Sequence, residues 1–260
     1  MMYNPKLPDD TTNVSQDNFF SQALKLSLSL LVSVAILYFI IIGIIGLIIN
    51  NITPQQEKKM LEYISFDINI SNTKSAYLTQ IKEKLKACTD IPYDVNIYIS
   101  DEEIVNAYAL PGGDIHITKG MLNQLKNQNE LVFILAHEMG HFQNKDHLKG
   151  LGQALILLTL ALFMGDDYTI LGHALNAGGA KYSQSAEFNA DSVGLELMHC
   201  AYGSVSDATK LFERMGEGES HWKYFLASHP NFDSRIEKMK KLIAKNNMDT
   251  SQEPLVLENF

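Results

Sequence analysis

Between Leu26 and Ile49 the chain carries no charged residue, and the only side chains there with a polar atom are Ser27, Ser29, Ser33 and Tyr38. A helix needs about 20 apolar residues to cross the hydrocarbon core of a bilayer, and this run supplies them. A core helix of a water-soluble domain would keep a polar face, and Leu30 to Ile49 keeps almost none. A cleavable leader would have a shorter apolar region followed by small residues, whereas Asn50 and Asn51 follow Ile48 and Ile49 here. The expectation is an uncleaved single-pass anchor at residues 26–49.

The anchor divides the chain. Residues 1–25 are polar, with Pro5 and Pro8, and read as a flexible tail. Residues 50–59 read as a linker in which Pro54 opens a helix. A folded domain is expected over 60–248, followed by a tail at 249–260. Lys25 flanks one end of the anchor and Lys58 and Lys59 lie beyond the other. The lysine count slightly favours a cytoplasmic domain, but uncleaved N-terminal anchors with a short tail often export the long part. The lean is toward the exterior.

Of the 260 residues, 46% are apolar and 20% charged, with a net charge of −9. That balance excludes a disordered acidic chain and argues against nucleic acid, whose phosphates demand a basic face. The two cysteines, Cys88 and Cys200, exclude a disulfide-dense scaffold and a Cys-rich zinc module. They fit either one bridge or two buried thiols, and general burial statistics favour the thiols.

The domain reads as α+β and mainly α. Tyr77 to Cys88 has helical spacing, with Leu78, Ile81 and Leu85 on one side. Val95–Ile99, Ile104–Leu110 and Ile115–Thr118 read as extended runs, the last two joined by the turn Pro111-Gly112-Gly113-Asp114. A helix begins at Gly120. Asn129 is the expected N-cap of the next, running to about Gln143, whose continuously apolar stretch Leu131–Ala136 makes it central and buried. The apolar stretch Leu151–Met164 reads as a core helix, or as one lying in the membrane interface. Further helices are expected at Ser183–Cys200, Asp207–Met215 and Ser234–Lys245.

The chemistry sits on the buried helix, in His137-Glu138-Met139-Gly140-His141. Residues four apart share one helix face, so both imidazoles can reach one zinc ion about 2.0–2.1 Å away. Glu138, on the same turn, is placed to act as general base and later to protonate the leaving amine. An H-E-x-x-H arises by chance in about one chain per hundred of this length. Its burial argues against chance, since two histidines and a glutamate in a core need polar partners.

A catalytic zinc takes three protein ligands and keeps one position open. Two residues are candidates for the third ligand. His147 stands six residues after His141, where metzincins carry their third histidine, but Asn144 replaces their glycine. Glu187 opens Glu187-Phe188-Asn189-Ala190-Asp191 on a later helix, where Asp191 lies one turn on and can orient a ligand histidine.

The motif with a distal E-x-x-A-D resembles the gluzincins of the HtpX, BepA and CAAX prenyl endopeptidase group, metallopeptidase family forty-eight. Asn106-Ala107-Tyr108-Ala109-Leu110-Pro111-Gly112-Gly113 resembles that family's N-A-x-A-x-P-G-G stretch, and His229-Pro230 followed by Arg235 its H-P-x-x-x-x-R. The resemblance covers about half the chain. It implies a zincin-type fold and a single zinc held by His137, His141 and Glu187. It also implies a polypeptide substrate and a role in membrane or envelope protein quality control, in a bacterial inner membrane. The stretch Asn106, Ala107, Tyr108 and Ala109 would then be an exposed edge strand that pairs with substrate backbone. His229 would donate to the oxyanion or occupy the open zinc position, and Arg235 would brace the site through Asp191. One departure is Gln184, where many members carry an arginine. The rival readings are a zinc-binding membrane chaperone or adaptor, a metzincin-like enzyme using His147, and a scaffold with a chance motif.

Overall fold

The structure, a computed structural model, describes residues 18–63, 74–150, 152, 182–215 and 222–258. It divides into two compact units, one ending at Leu47 and one beginning at Ile48.

The first unit is the body of helix α1 (Phe19–Asn51), whose 33 residues include none that is buried. At 1.5 Å per residue it is about 50 Å long, more than the roughly 30 Å that a bilayer core requires. By length and composition it is one candidate membrane span among the described residues. Its serines fit that setting. Ser29 Oγ donates to the Leu26 carbonyl at 2.9 Å and Ser33 Oγ to that of Ser29 at 2.8 Å, so neither hydroxyl needs water.

The second unit takes in the last turn of α1 and continues with α2 (Pro54–Tyr63) and α3 (Ala76–Lys86). A three-stranded sheet follows, built from β1 (Asn96–Ser100), β2 (Ala107–Leu110) and β3 (Asp114–Thr118). The order is β1-β3-β2, with β1 parallel and β2 antiparallel to β3. The extended run expected from Ile104 is a strand only from Ala107. The Asn106 N–H bonds the Thr118 hydroxyl at 3.0 Å, which stands in for a ladder partner. The turn between β2 and β3 needs its glycines: Gly112 and Gly113 have φ of 94° and 105°.

After the short α4 (Lys119–Leu122) comes the central helix α5 (Gln128–Gln143). Its N-cap is Asn127, whose side chain accepts from the Glu130 N–H at 3.0 Å, not the expected Asn129. Asn129 lies inside the helix and instead bonds the Ser206 carbonyl and the Leu255 N–H, at 3.1 and 3.2 Å. The chain continues through α6 (Gln184–Tyr202), α7 (Lys210–Met215), α8 (Lys223–Ser228) and α9 (Phe232–Lys245). The short α8 has no counterpart in the sequence reading. The stretch Leu151–Met164 lies outside the described residues, apart from Gly152.

Residues 131–136 of α5 are all essentially inaccessible, in one apolar core that also contains Ile115 and Ile117 of β3 and Leu195 and Met198 of α6. Each large apolar side chain so buried stabilises the fold by roughly 1.5–3 kcal/mol. The cysteines correct an expectation. Cys88 and Cys200 are not thiols but a disulfide, with Cα atoms 6.0 Å apart and a sequence separation of 112, which ties the end of α3 to that of α6.

Helices α5 and α6 meet backbone to backbone. A Cβ on Gly140 would stand 2.9 Å from the Cα and carbonyl oxygen of Ala190, and one on Gly194 would stand 3.2 Å from the His137 nitrogen. Substituting Gly140→Ala is expected to cost about 1–3 kcal/mol. Thermal melts of the purified chain would read this as a fall of several degrees.

Candidate metal centre

The close α5–α6 crossing sets what the centre contains. Helix α5 presents His137, Glu138 and His141, and α6 presents Glu187 and Asp191 from its first two turns. His229 follows α8 directly, and Arg235 points inward from the first turn of α9. All seven side chains are buried.

The two imidazoles of α5 face each other, with Nε2 atoms 3.1 Å apart. Glu187 completes a triangle, its Oε2 lying 3.7 Å from His137 Nε2 and its Oε1 3.7 Å from His141 Nε2. Ligands held about 2.0–2.1 Å from a tetrahedral zinc stand about 3.3 Å from one another, so these separations bracket what such an ion needs. His229 closes the far side, with Nδ1 3.1 and 3.2 Å from the Glu187 oxygens and 3.4 Å from His137 Nε2. His137, Glu138, His141 and His229 each offer a ligand atom within 4.8 Å of the others. Both Glu138 oxygens and His229 Nε2 have no hydrogen-bond partner among the described residues. Orphaned polar atoms are costly in a core, and two imidazoles with two carboxylates are the donor chemistry of a divalent metal and its water.

Each α5 histidine is backed by a carboxylate. His137 Nδ1 lies 3.0 Å from Asp191 Oδ1, and His141 Nδ1 lies 3.4 Å from Asp146 Oδ2. Such partners fix a ligand histidine's tautomer and orientation. Asp191 is itself clamped by Arg235, whose Nε and one terminal nitrogen donate at 2.8 and 2.6 Å, while the other terminal nitrogen meets Glu187. Phe212 and Phe232 flank the guanidinium, 4.5 and 5.2 Å from its carbon. Tyr182 stacks on His141 and Phe225 on His229, with centroids 3.8 and 4.5 Å apart.

These contacts set the charges. Burial alone would raise the Glu187 pKa, but His229, Arg235 and His137 outweigh it and hold the carboxyl ionised. Asp191 follows the same pattern, burial being overcome chiefly by Arg235. Burial lowers His141 and keeps its imidazole in the neutral, metal-binding form. For His229, burial works downward and the Glu187 and Glu138 carboxylates win, raising its pKa.

His147 turns away from this cluster, its Nε2 3.1 Å from Glu57 Oε2. Gln184 bonds Ser234 at 3.3 Å. Ala107, Tyr108 and Ala109 lie on β2, which among the described residues is an edge strand, but not the exposed one expected: Asn106, Ala107 and Ala109 are buried and Tyr108 is partly so. The Tyr108 ring stacks on His116 on one face of the sheet, at 5.4 Å. Asp146 and Tyr182 escaped the sequence reading. Asp146 follows the end of α5, where helical spacing no longer indicates direction, and Tyr182 precedes α6 with no motif around it.

A family model described as Peptidase family M48 matches residues 72–243, more than half of the chain. The mitochondrial metalloendopeptidase OMA1 of Saccharomyces cerevisiae is 30% identical over 171 residues, which are 60% of this chain and 49% of that protein. The zebrafish (Danio rerio) mitochondrial metalloendopeptidase OMA1 is 27% identical over 186 residues, 64% of this chain and 38% of its own length. A protease HtpX homolog of Campylobacter concisus is 31% identical over 104 residues, 38% of this chain and 35% of its own. The chain thus spans half or less of the length of these curated relatives.

Removing Arg235 would strand two buried carboxylates. Substituting Arg235→Met is expected to destabilise the domain by about 3–5 kcal/mol in denaturant titrations, with Arg235→Lys falling between it and the parent.

Proposed function

Because the chain belongs to peptidase family M48, we propose that it is a membrane-anchored zinc metalloendopeptidase. His137, His141 and Glu187 hold the ion and Glu138 acts as general base. The observation that carries the reading is the set of donor atoms, two Nε2 atoms 3.1 Å apart with a different Glu187 oxygen 3.7 Å from each, next to a buried glutamate that has no hydrogen-bond partner among the described residues. Glu187 is preferred to His229 as third ligand because it faces both imidazoles equally and brings negative charge to a divalent ion.

Zinc, when bound, supplies Lewis acidity toward the attacking water and the substrate carbonyl. The chain's own residues do the rest. Glu138 takes the proton from the attacking water and returns it to the leaving amine. Asp191 and Asp146 keep the two imidazoles in register, and Arg235 keeps Asp191 and Glu187 in place. His229 Nε2, 3.7 Å from Glu138 Oε1, is the donor for the oxyanion. Strand β2, an edge strand among the described residues, would pair with an extended polypeptide, so recognition would run mainly through backbone.

The substrates in this reading are unfolded or membrane-embedded proteins, cleaved in quality control at a bacterial inner membrane. The Cys88–Cys200 disulfide supports a domain on the exterior face, because such bonds persist in oxidising compartments.

Substituting Glu138→Gln is expected to lower peptidase activity on an unfolded protein at least about 100-fold while zinc stays stoichiometric by metal analysis. Equal activity in parent and variant would overturn the hydrolase. Glu187→Ala is expected to lose the zinc and His229→Ala to keep it; the reverse would exchange their roles.

A further inference from the structure

The turn that follows α5, Asn144 to His147, makes three separate contacts that the reaction as described uses only in part. Lys145 sits in the left-handed region, with φ 53°. From there its ammonium donates to the carbonyls of Ile49, Asn50 and Ile52, at 3.0, 3.2 and 3.2 Å. Those carbonyls lie in and just beyond the last turn of α1, inside the catalytic unit, where helix carbonyls have no partner of their own and attract a cation.

His147 makes the second contact. Its Nε2 lies 3.1 Å from Glu57 Oε2, and its Nδ1 lies 3.4 Å from the His141 carbonyl oxygen. Glu57, on α2, is fully buried, although it lies only a few residues beyond the anchor. It also accepts from the Tyr93 hydroxyl at 2.6 Å and from the Gly112 N–H at 2.9 Å. A carboxylate with three donors is well satisfied, and it binds α2, the β2–β3 turn and the end of α5 into one network. Rings reinforce the joint. Tyr93 stacks on Phe142 at 4.8 Å, and His147 meets both rings edge-on at 5.6 and 5.0 Å.

Between these two grips stands Asp146, 2% exposed, facing His141 Nδ1 with one oxygen and Lys149 with the other. We infer that Asp146 is a positioning residue for the metal ligand His141, and that residues 49–57 hold it in position through Lys145 and His147. The juxtamembrane segment is then part of the apparatus that shapes the metal centre, beyond its role as a tether. This rests on the proposed zinc-peptidase reading.

The test is the zinc dissociation constant of the full chain in detergent, measured by competition with a chelator of known affinity, alongside the melting temperature of the metal-free protein. Asp146→Asn keeps the shape but loses the acceptor charge. It is expected to weaken zinc binding 10–100-fold with little change in the apo melt. Glu57→Gln is expected to weaken it less, and the double variant by less than the product of the two effects, because both act through one turn. Lys145→Met, which removes the contacts to the Ile49, Asn50 and Ile52 carbonyls, is expected to weaken it several-fold. Wild-type zinc affinity in Asp146→Asn overturns the inference, and so does strict multiplicativity of the two losses. A wild-type chain that takes up no stoichiometric zinc sinks the peptidase reading itself, which is a separate result.

Discussion

Helices α5 and α6 pack more closely than side chains would allow. Gly140 stands against the Ala190 backbone and Gly194 against that of His137. That approach, set by what is absent from two positions, brings a carboxylate of α6 to 3.7 Å from both imidazoles of α5. The buried charges around the centre follow from it. Once Glu187 and Asp191 are buried they need a cation, and Arg235 supplies it from α9 with two donors on Asp191 and a third nitrogen on Glu187. The aromatic rings of Phe212 and Phe232 then shield the guanidinium.

Such a cluster is expensive in a core unless every member is matched, because buried charge is stable only when paired and hydrogen-bonded. Most members are matched. Among the described residues the Glu138 oxygens and His229 Nε2, the atoms assigned to proton and oxyanion chemistry, have no hydrogen bond, whereas His137 Nδ1 and the Arg235 nitrogen facing Glu187 meet carboxylates as ion pairs. Unbonded polar atoms at that point are what the proposed function needs, since an ion with its water and a substrate carbonyl would take them up.

How much of this was legible in the sequence depends on the range of the signal. The long apolar helix was legible because an uncharged run of that length has few other conformations, and α1 contains residues 26–49. Helix α5 and the shared face of His137 and His141 followed from a four-residue spacing, although its cap fell at Asn127 instead of Asn129. Both asparagines suit a cap, and only tertiary partners at Ser206 and Leu255 draw Asn129 inside. Pairing Glu187 with that helix did not follow from spacing at all. His147 is a second candidate on spacing alone, and in the structure it turns to Glu57. Asp146 lies only five residues from His141 but past the helix end, where spacing no longer gives direction, while the bridge between the cysteines and the burial of Glu57 depend on contacts between distant segments, which no local pattern encodes.

X-ray absorption at the zinc edge of the purified full-length chain tests the central claim most directly, since it counts the ion's neighbours. The account predicts one zinc per chain with two imidazole nitrogens and carboxylate or water oxygen at about 2.0–2.1 Å. A shell of three imidazoles, or a chain that binds no zinc, would contradict it.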